Sequence, residues 1–414
     1  MRVLVLTQYY LPEIGAPQTR LAAFARELRV RGHDVEVVTA MPNHLTGRVH
    51  DEYRGHVYMS EEIDGVKVHR TWVYAATGTG VKRVLNYLSF ACSCLIGLAK
   101  AGPADIVFVE SPPLFLSVPG WMAARARRAG MVFNVSDLWP DSVRELGVMS
   151  DGFVMRLAEM LEAWSYRRAS VVNAVTEGIA TTLRDHKQVP SEKVRFLPNG
   201  IDIDTFVPRD GSVRLARELQ LTSRPVFIYA GTHGIAQALD SVLTAAKLVE
   251  DEADVVFVGS GPVKSALVER AGNEGIRNVR FVDPVPLSAM PEYFSLATAS
   301  IVPLVNNPLM RGARPSKMFP SLACGVPILY CGEGESATLI SEAGAGLVAE
   351  PENARAIADA MRTIANDPAR REVMSRRARR LAVERFAWGS IVEEWLRSME
   401  ASPHRARAHT ATMR

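Results

Sequence analysis

The sequence predicts an α/β protein built from two doubly wound, Rossmann-like domains. Three observations predict this class: strand-like and helix-like segments alternate, the strands are continuous apolar runs, and the alternation restarts near residue 225. Apolar runs without a polar face are typical of strands in a parallel sheet that helices cover on both sides. A length of 414 residues also favours two domains over one.

The first forty residues establish the βαβ pattern. Val3–Leu6 is an apolar strand, and a loop containing Gly15 separates it from a helix predicted to begin at about Pro17, since proline suits the first turn. Gly32 is a typical residue after a helix end, and DVEVVTA (34–40) is the second strand. Further strands of this half are predicted at 66–73, 105–110, 131–135, 171–175 and 193–197.

The second half repeats the alternation after the turn signal Pro198-Asn199-Gly200. Its strands are predicted at 225–230, 254–258, 279–282, 299–303 and 326–330, and its last helices at 353–366, 369–385 and 388–399. We therefore expect a first domain over 1–205, a second domain over 206–385, and a disordered basic tail over 403–414.

Composition excludes several classes of protein. A formal net charge of +3 argues against a dedicated nucleic-acid binder. The four cysteines (Cys92, Cys94, Cys324 and Cys331) have no ligand-like spacing, so we expect neither a disulfide framework nor a metal site. The chain opens on a strand instead of a secretion signal, which favours a cytoplasmic protein.

The most apolar segment, 84–99, has two compatible interpretations. The favoured one is a buried core helix, since the segment is shorter than the roughly 20 residues that span a bilayer. The other is a helix that rests in a membrane interface. Nearby basic residues that would support it are Lys82, Arg83, Arg125, Arg127 and Arg128.

Ligands of doubly wound sheets bind at the carboxyl ends of the strands, where the strand order reverses. Two such domains facing each other would enclose a central cleft. The segments that identify the chemistry are LTQYYLPEIGAPQTRLAAFARELRVRGHDVEVVTAMPNHLTG, ESPPLF, NVSDLWPDSVRELGV, PNGIDIDTF, YAGTHGIAQALD, VGSGP, VPLVNNPLMRGARPSK and ACGVPIL. Together, and in this order, they resemble the retaining family 4 glycosyltransferases of the GT-B architecture. Within that family they are similar to the fucosamine, colanic-acid and O-antigen branch.

The resemblance implies that the first domain binds an acceptor and the second a nucleotide sugar. A helix at 386–402 would cross back to the first domain. The implied reaction moves a hexose or N-acetylated amino sugar from a nucleoside diphosphate, UDP by expectation, to an acceptor hydroxyl with retention. Expected partners are a nucleotide sugar and a glycan or lipid-linked acceptor at the inner face of the membrane, in surface polysaccharide or glycolipid assembly. Neither a metal nor another cofactor is expected.

Donor binding requires positive charge beside a diphosphate. Arg311 and Lys317 flank Pro315-Ser316, where a helix is predicted to begin, and cations at a helix start attract anions. They would also stabilise the charge that develops on the leaving diphosphate, so we assign them a catalytic role. The remaining predicted donor residues are Gly15, Thr232, His233, Gly259, Gly261, Ser316 and Glu335.

Acceptor binding is predicted at the carboxyl ends of strands in the first half. Asp137 follows the strand MVFNV and is the candidate for orienting the acceptor hydroxyl or the donor sugar. Glu110 and Trp139 are the other candidates. Helix capping accounts better for Asp141.

The chain departs from the wider family at several positions. The two glutamates of the family pattern correspond to Gly312 and Pro320, and Glu333 or Glu335 are candidate replacements. Gln237 stands where many relatives have a lysine. Asp202 and Asp204 form a D-x-D pattern, but its place after PNG argues against a metal site.

Three alternatives to this activity stay open at this point. The first is a tailoring glycosyltransferase that acts on a soluble small molecule. The second is a sugar-nucleotide epimerase, which would need acid–base carboxylates. The third is a non-catalytic nucleotide-binding relative, which Pro320 alone favours.

Overall fold

A computed structural model describes residues 1–13, 15–43, 47–76, 80–141, 144 and 152–400. The chain divides into two compact units, residues 1–199 with 391–414, and residues 200–390. The predicted tail over 403–414 lies outside the described residues.

Unit 1 contains an eight-stranded sheet in the order β3-β4-β2-β1-β5-β6-β7-β8. All neighbouring strands are parallel except β3, which pairs antiparallel to β4 at the edge. The strands are β1 (Arg2–Leu6), β2 (Asp34–Ala40), β3 (Tyr58–Ile63), β4 (Val66–Thr71), β5 (Ile106–Ser111), β6 (Gly130–Val135), β7 (Val171–Ala174) and β8 (Val194–Phe196). The helices are α1 (Ala16–Val30), α2 (Val81–Lys100), α3 (Ser117–Arg127), α4 (Phe153–Arg168) and α5 (Glu177–Asp185).

Unit 2 contains a six-stranded parallel sheet in the order β11-β10-β9-β12-β13-β14. The strands are β9 (Val226–Ala230), β10 (Asp254–Val258), β11 (Val279–Val282), β12 (Ala299–Pro303), β13 (Ile328–Cys331) and β14 (Gly346–Ala349). The helices are α6 (Val213–Glu218), α7 (Leu239–Leu248), α8 (Lys264–Asn273), α9 (Met290–Ser295), α10 (Met318–Ala323), α11 (Glu335–Ala343), α12 (Ala354–Asn366) and α13 (Pro368–Leu381). Two parallel sheets with interleaved helices confirm the predicted doubly wound class.

The apolar runs form the cores as their pattern predicts. Every residue of β5 and β10 is buried, because helices cover both faces of each sheet. The order reverses between β1 and β5 in unit 1 and between β9 and β12 in unit 2. Each sheet therefore has a switch point, which is the place where doubly wound sheets generally bind their ligands.

The last helix, α14 (Trp388–Glu400), belongs to unit 1 from Ile391 onward. The indole of Trp395 is fully buried, and its Nε1 donates to Asn173 Oδ1 at 3.1 Å. The same ring meets Phe24 edge to face at 5.2 Å. These contacts fix the second half of α14 to the core of unit 1.

Helix α2 corrects the favoured interpretation of segment 84–99 as a buried core helix. Asn86, Phe90, Cys94 and Leu98 pack inward, but the opposite side of the helix stays exposed and apolar. By length and composition alone, α2 is apolar enough to cross a membrane, which is also true of many core helices. The prediction failed because an apolar segment does not by itself reveal whether one or two of its sides are covered.

Candidate functional site

The switch point of unit 2 lies between the carboxyl ends of β9 and β12. Two loops meet there: residues 231–234 follow β9, and residues 304–317 follow β12. Most of the predicted donor residues lie on these loops or on the next loop, 259–261, which follows β10.

Lys317 lies against the end of β9. Its Nζ donates to the hydroxyl of Tyr229 at 2.8 Å and lies 4.6 Å from the centre of that ring. Its Cε would be 3.4 Å from a Cβ placed on Gly231. The ammonium therefore lies beside Gly231, the position of this turn that has no side chain.

In the part of the chain that the structure describes, no carboxylate forms an ion pair with Lys317, so its charge is not neutralised there. Burial lowers its pKa to about 8. A partly buried cation is costly without a counter-ion. The site is therefore suited to an anion that arrives with the ligand.

Arg311 differs from Lys317 in this respect. Its guanidinium is 60% exposed and donates through both Nε and Nη2 to Glu333 Oε2, each at 2.9 Å. The predicted helix start also differs, because α10 begins at Met318 and has only six residues. Aligned peptide dipoles in so short a helix are few, so the positive charge at this site rests on the side chains.

Arg314, which was not among the residues predicted from the sequence, anchors the loop after β12. It pairs with Glu335, the first residue of α11, and its guanidinium lies 5.6 Å from the centre of the Phe386 ring. Ser336 Oγ donates to the carbonyl of Ala313 at 2.9 Å. Glu335, a predicted donor residue, is thus tied to the loop, whereas the side chain of Ser316 is exposed.

Gly259 and Gly261 have a packing role that the sequence did not reveal. A Cβ on Gly259, whose φ is 136°, would lie 2.1 Å from the carbonyl oxygen of Gly231, and one on Gly261 would lie 2.4 Å from that of His233. The main-chain N–H of His233 donates to Ser260 O at 2.9 Å. Both glycines therefore allow the loop after β10 to support the loop after β9.

In the loop after β9, the side chain of Thr232 is exposed to solvent and that of His233 is buried. The Thr232 side chain is exposed, and its carbonyl accepts from the hydroxyl of Tyr229. The His233 ring is buried beside Tyr229 and Phe257, and burial lowers its pKa to about 4, with a further lowering from Lys264. His233 is therefore neutral at pH 7 and packs inside the loop.

Gln237 does not replace the cation that many relatives carry here. Its Oε1 accepts from the N–H of Gly234 at 3.1 Å and stabilises the turn. Asp202 likewise caps its own turn, with Oδ1 accepting from the N–H groups of Asp204 at 3.0 Å and Thr205 at 3.1 Å. Pro320 lies within α10.

The switch point of unit 1 brings Glu110 to the N-terminal part of α1. Glu110 is buried and accepts from Asn134 at 2.9 Å, from Ser136 at 2.7 Å, and from Arg20. Burial raises its pKa, although Arg20 acts in the opposite direction. Glu110, which the sequence predicts to bind the acceptor, is thus a buried carboxylate paired with Arg20. Its contact with an acceptor stays a prediction.

Arg20 is the residue that sequence reasoning missed in unit 1. Its Nη1 also donates to Asn199 Oδ1 at 3.1 Å. The guanidinium therefore links α1 to residue 199, where the first segment of unit 1 ends. The sequence signal that could have indicated Arg20 is a basic residue in the first turns of a helix that follows a glycine-containing loop. Gly15 lies just before α1, where a Cβ would meet Gln18 Oε1 at 2.4 Å.

The segment after β6 carries the predicted acceptor residues Asp137 and Trp139. Asp137 is exposed, and the N–H of Trp139 donates to its carbonyl at 3.0 Å. The Trp139 ring packs edge to face on Phe115 at 6.0 Å. Asp141 pairs with Lys187 at 2.8 Å, and residues 142–143 and 145–151 lie outside the described part of the chain.

Two known protein families together match most of the chain. Residues 15–200 match the family described as "Glycosyl transferase 4-like domain". Residues 215–381 match the family described as "Glycosyl transferases group 1".

Two curated relatives are similar over nearly their whole length. The Escherichia coli K12 protein WcaI, named as a colanic acid biosynthesis glycosyl transferase, is 27% identical over 78% of this chain and 82% of its own. A D-inositol 3-phosphate glycosyltransferase of Geodermatophilus obscurus is 28% identical over 94% of this chain and 85% of its own.

A solved structure shows the same fold at low sequence identity. Anabaena HepE, determined in complex with UDP and glucose, superposes with a TM-score of 0.72 and 15% identity, over 97% of this chain and 100% of HepE. This likeness confirms the two-domain GT-B fold that the sequence predicts.

Proposed function

Because the chain belongs to the GT4-type glycosyltransferases, we propose that it transfers a hexose or N-acetylated amino sugar from UDP to an acceptor hydroxyl with retention. Glycosyl transfer is the activity that its relatives share by name. The UDP and glucose held by HepE support this choice of donor.

The observation that carries the proposal is the ammonium of Lys317 at the switch point of unit 2, which no carboxylate of the described residues neutralises. A diphosphate placed there would supply the missing counter-charge. The main-chain turn at Gly231 and the exposed Thr232 are next to it and leave room for close approach of the ligand. Exposed Arg311, on the same loop, would add a second positive charge once it turns from Glu333.

In the proposed reaction, the bond between the anomeric carbon and the diphosphate oxygen breaks while the acceptor oxygen bonds to the same face of that carbon. Negative charge accumulates on the leaving diphosphate, and Lys317 stabilises it more strongly than the ground state. The leaving phosphate oxygen accepts the proton of the acceptor hydroxyl. Asp137 orients that hydroxyl or the sugar.

We propose a glycan or lipid-linked acceptor at the inner face of the membrane, and a cytoplasmic enzyme. The similarity to a protein named for colanic acid biosynthesis supports assembly of a surface polysaccharide. Asp137, which is exposed at the carboxyl end of β6, is the side chain that would contact this acceptor.

A panel of nucleotide sugars would identify the donor. We expect a UDP sugar to raise the melting temperature of the wild type more than a GDP or ADP sugar does, and Arg311→Ala to lose most of that gain. Differential scanning fluorimetry measures both. Arg277→Ala, which removes another exposed arginine of unit 2, is the control and should keep the full shift. An unchanged shift in Arg311→Ala would remove Arg311 from the diphosphate site.

Donor affinity should also depend on pH through Lys317. Its pKa of about 8 means that the ammonium is charged below pH 8 and loses its proton as pH rises through that value. We therefore expect the affinity for UDP-glucose, whose own diphosphate does not titrate here, to fall on the alkaline side. Isothermal titration calorimetry at a series of pH values measures this. Lys317→Arg is the control, because a guanidinium stays charged and any remaining affinity should be independent of pH; a flat profile in the wild type would contradict the assignment.

A further inference from the structure

The start of helix α2 is tied to the carboxyl ends of three strands of unit 1. The side chain of Asn86, which is buried, accepts from Gln8 Nε2 at 2.6 Å, in the loop after β1. Its Nδ2 donates to Asn43 Oδ1 at 3.2 Å, in the loop after β2, and to the carbonyl of Tyr74 at 2.7 Å, after β4. The first turns of α2 therefore lie at the edge of the sheet where the acceptor is proposed to bind.

Arg83, one turn before Asn86, is held by two tyrosines. Its guanidinium carbon lies 4.8 Å from the centre of the Tyr87 ring and 5.9 Å from the centre of the Tyr9 ring. Its Nε donates to the hydroxyl of Tyr87 at 2.9 Å. Within the described ranges, neither Nη group donates a hydrogen bond to the protein. The guanidinium is thus fixed in orientation, with two donors left for a ligand.

The positive charge of Arg83 has no carboxylate partner in the part of the chain that the structure describes. Helix α2 contains no aspartate or glutamate, and a second cation, Lys82, precedes Arg83. The carboxylate of the loop after β1, Glu13, is buried and accepts from the main-chain N–H of Asn43 at 2.6 Å. Cations in the first turn of a helix oppose its dipole, so the stability of α2 does not account for either residue.

We propose that Arg83 binds a phosphate group of the acceptor, with Lys82 as a second positive charge in the same turn. A guanidinium pairs with a phosphate through two N–H groups, and the two Nη groups offer this fork. A phosphate monoester carries between about 1.5 and 2 negative charges at pH 7, so it matches two cations better than a carboxylate does. The inference rests on the proposed function, because it assigns the substrate class of the acceptor in that reaction.

Calorimetry of the full-length protein, with UDP in excess to occupy the donor site, tests the inference. Glucose 1-phosphate represents a soluble sugar phosphate, and farnesyl phosphate in detergent represents a lipid-linked phosphate. Their parent alcohols, glucose and farnesol, are the matched controls. We expect the wild type to bind at least one phosphate probe much more tightly than its parent alcohol, and the probe that binds identifies the source of the phosphate.

Arg83→Gln should weaken the binding of that probe by about 10- to 100-fold, the effect of removing hydrogen bonds to a charged group. Arg83→Lys should weaken it less, because the charge remains. Arg125→Gln, which removes an exposed arginine of α3, is the control and should bind as the wild type does. Tryptophan fluorescence checks that each variant is folded, since most of the tryptophans lie in unit 1.

Three outcomes would overturn the inference. They are equal binding of the phosphate probe by Arg83→Gln and the wild type, equal binding of the phosphates and their parent alcohols, and tighter binding of glucuronate, which would assign the site to a carboxylate. Affinity for UDP-glucose separates these outcomes from a failure of the proposed function. Arg83→Gln should keep the wild-type affinity for this donor, whereas a wild type that binds no UDP sugar would contradict the proposed function itself.

Discussion

Replacing Lys317 with methionine should lower donor turnover by about 100- to 1,000-fold, the effect of removing one preorganised group that stabilises transition-state charge. Methionine keeps a similar length and apolar stem, so the change removes the charge while the contact with the Tyr229 ring is largely retained. Release of UDP from the nucleotide sugar gives the rate, and calorimetry gives the affinity. Both should fall, the rate more than the affinity.

A matched control is available in the same unit. Lys247→Met removes an ammonium that pairs with Glu274 at 3.0 Å, on α7. Surface ion pairs contribute little, so this variant should keep its turnover and stability. If Lys317→Met turned over the donor as fast as Lys247→Met, the anion would bind elsewhere and the proposed site would be wrong.

The second large effect should come from Gly259→Ala. An added Cβ would lie 2.1 Å from the carbonyl oxygen of Gly231 at a φ of 136°, so the loop after β9 must move. We expect a loss of about 3 kcal/mol in the free energy of unfolding and at least about tenfold weaker donor binding. Chemical denaturation and calorimetry measure the two quantities.

Gly272→Ala is the control for this substitution. Gly272 lies in α8, and a Cβ there meets no atom within 4 Å. Alanine in a helix should be neutral or stabilise the protein by about 0.5 to 1 kcal/mol. Normal stability in Gly259→Ala would show that the loops after β9 and β10 are not packed as described.

Two strands show why part of the fold was missed from the sequence. The strand β3, with the sequence YMSEEI, is an antiparallel edge strand whose exposed positions are polar, so it lacks the continuous apolar run of the others. The strand β14 begins at Gly346, where a Cβ would lie 1.9 Å from the carbonyl oxygen of Ile328. Glycine weakens a strand pattern, yet here it allows the close approach of β13 and β14.

The loop after β12 shows a second kind of information that local sequence patterns do not contain. Local patterns indicated that Arg311 and Lys317 flank a helix start at Pro315-Ser316, and the structure places both residues between β12 and the start of α10 at Met318. The patterns did not indicate that Glu333 neutralises Arg311, that Glu335 engages Arg314, or that the hydroxyl of Tyr229 accepts from the ammonium of Lys317. Each of these partners lies outside the loop after β12: Tyr229 in β9, Glu333 in the loop after β13, and Glu335 in α11.

By itself, the sequence determined the doubly wound class and the positions of the loops that follow the buried strands. Apolar periodicity suffices for this, because burial of each strand and helix depends on side chains that are close in the chain. Only the tertiary structure decided which cations pair with a carboxylate in the described part of the chain, which glycines are needed for packing, and which side of α2 stays uncovered. Charge pairing, steric contact and coverage depend on residues distant in the chain, and no local pattern contains them.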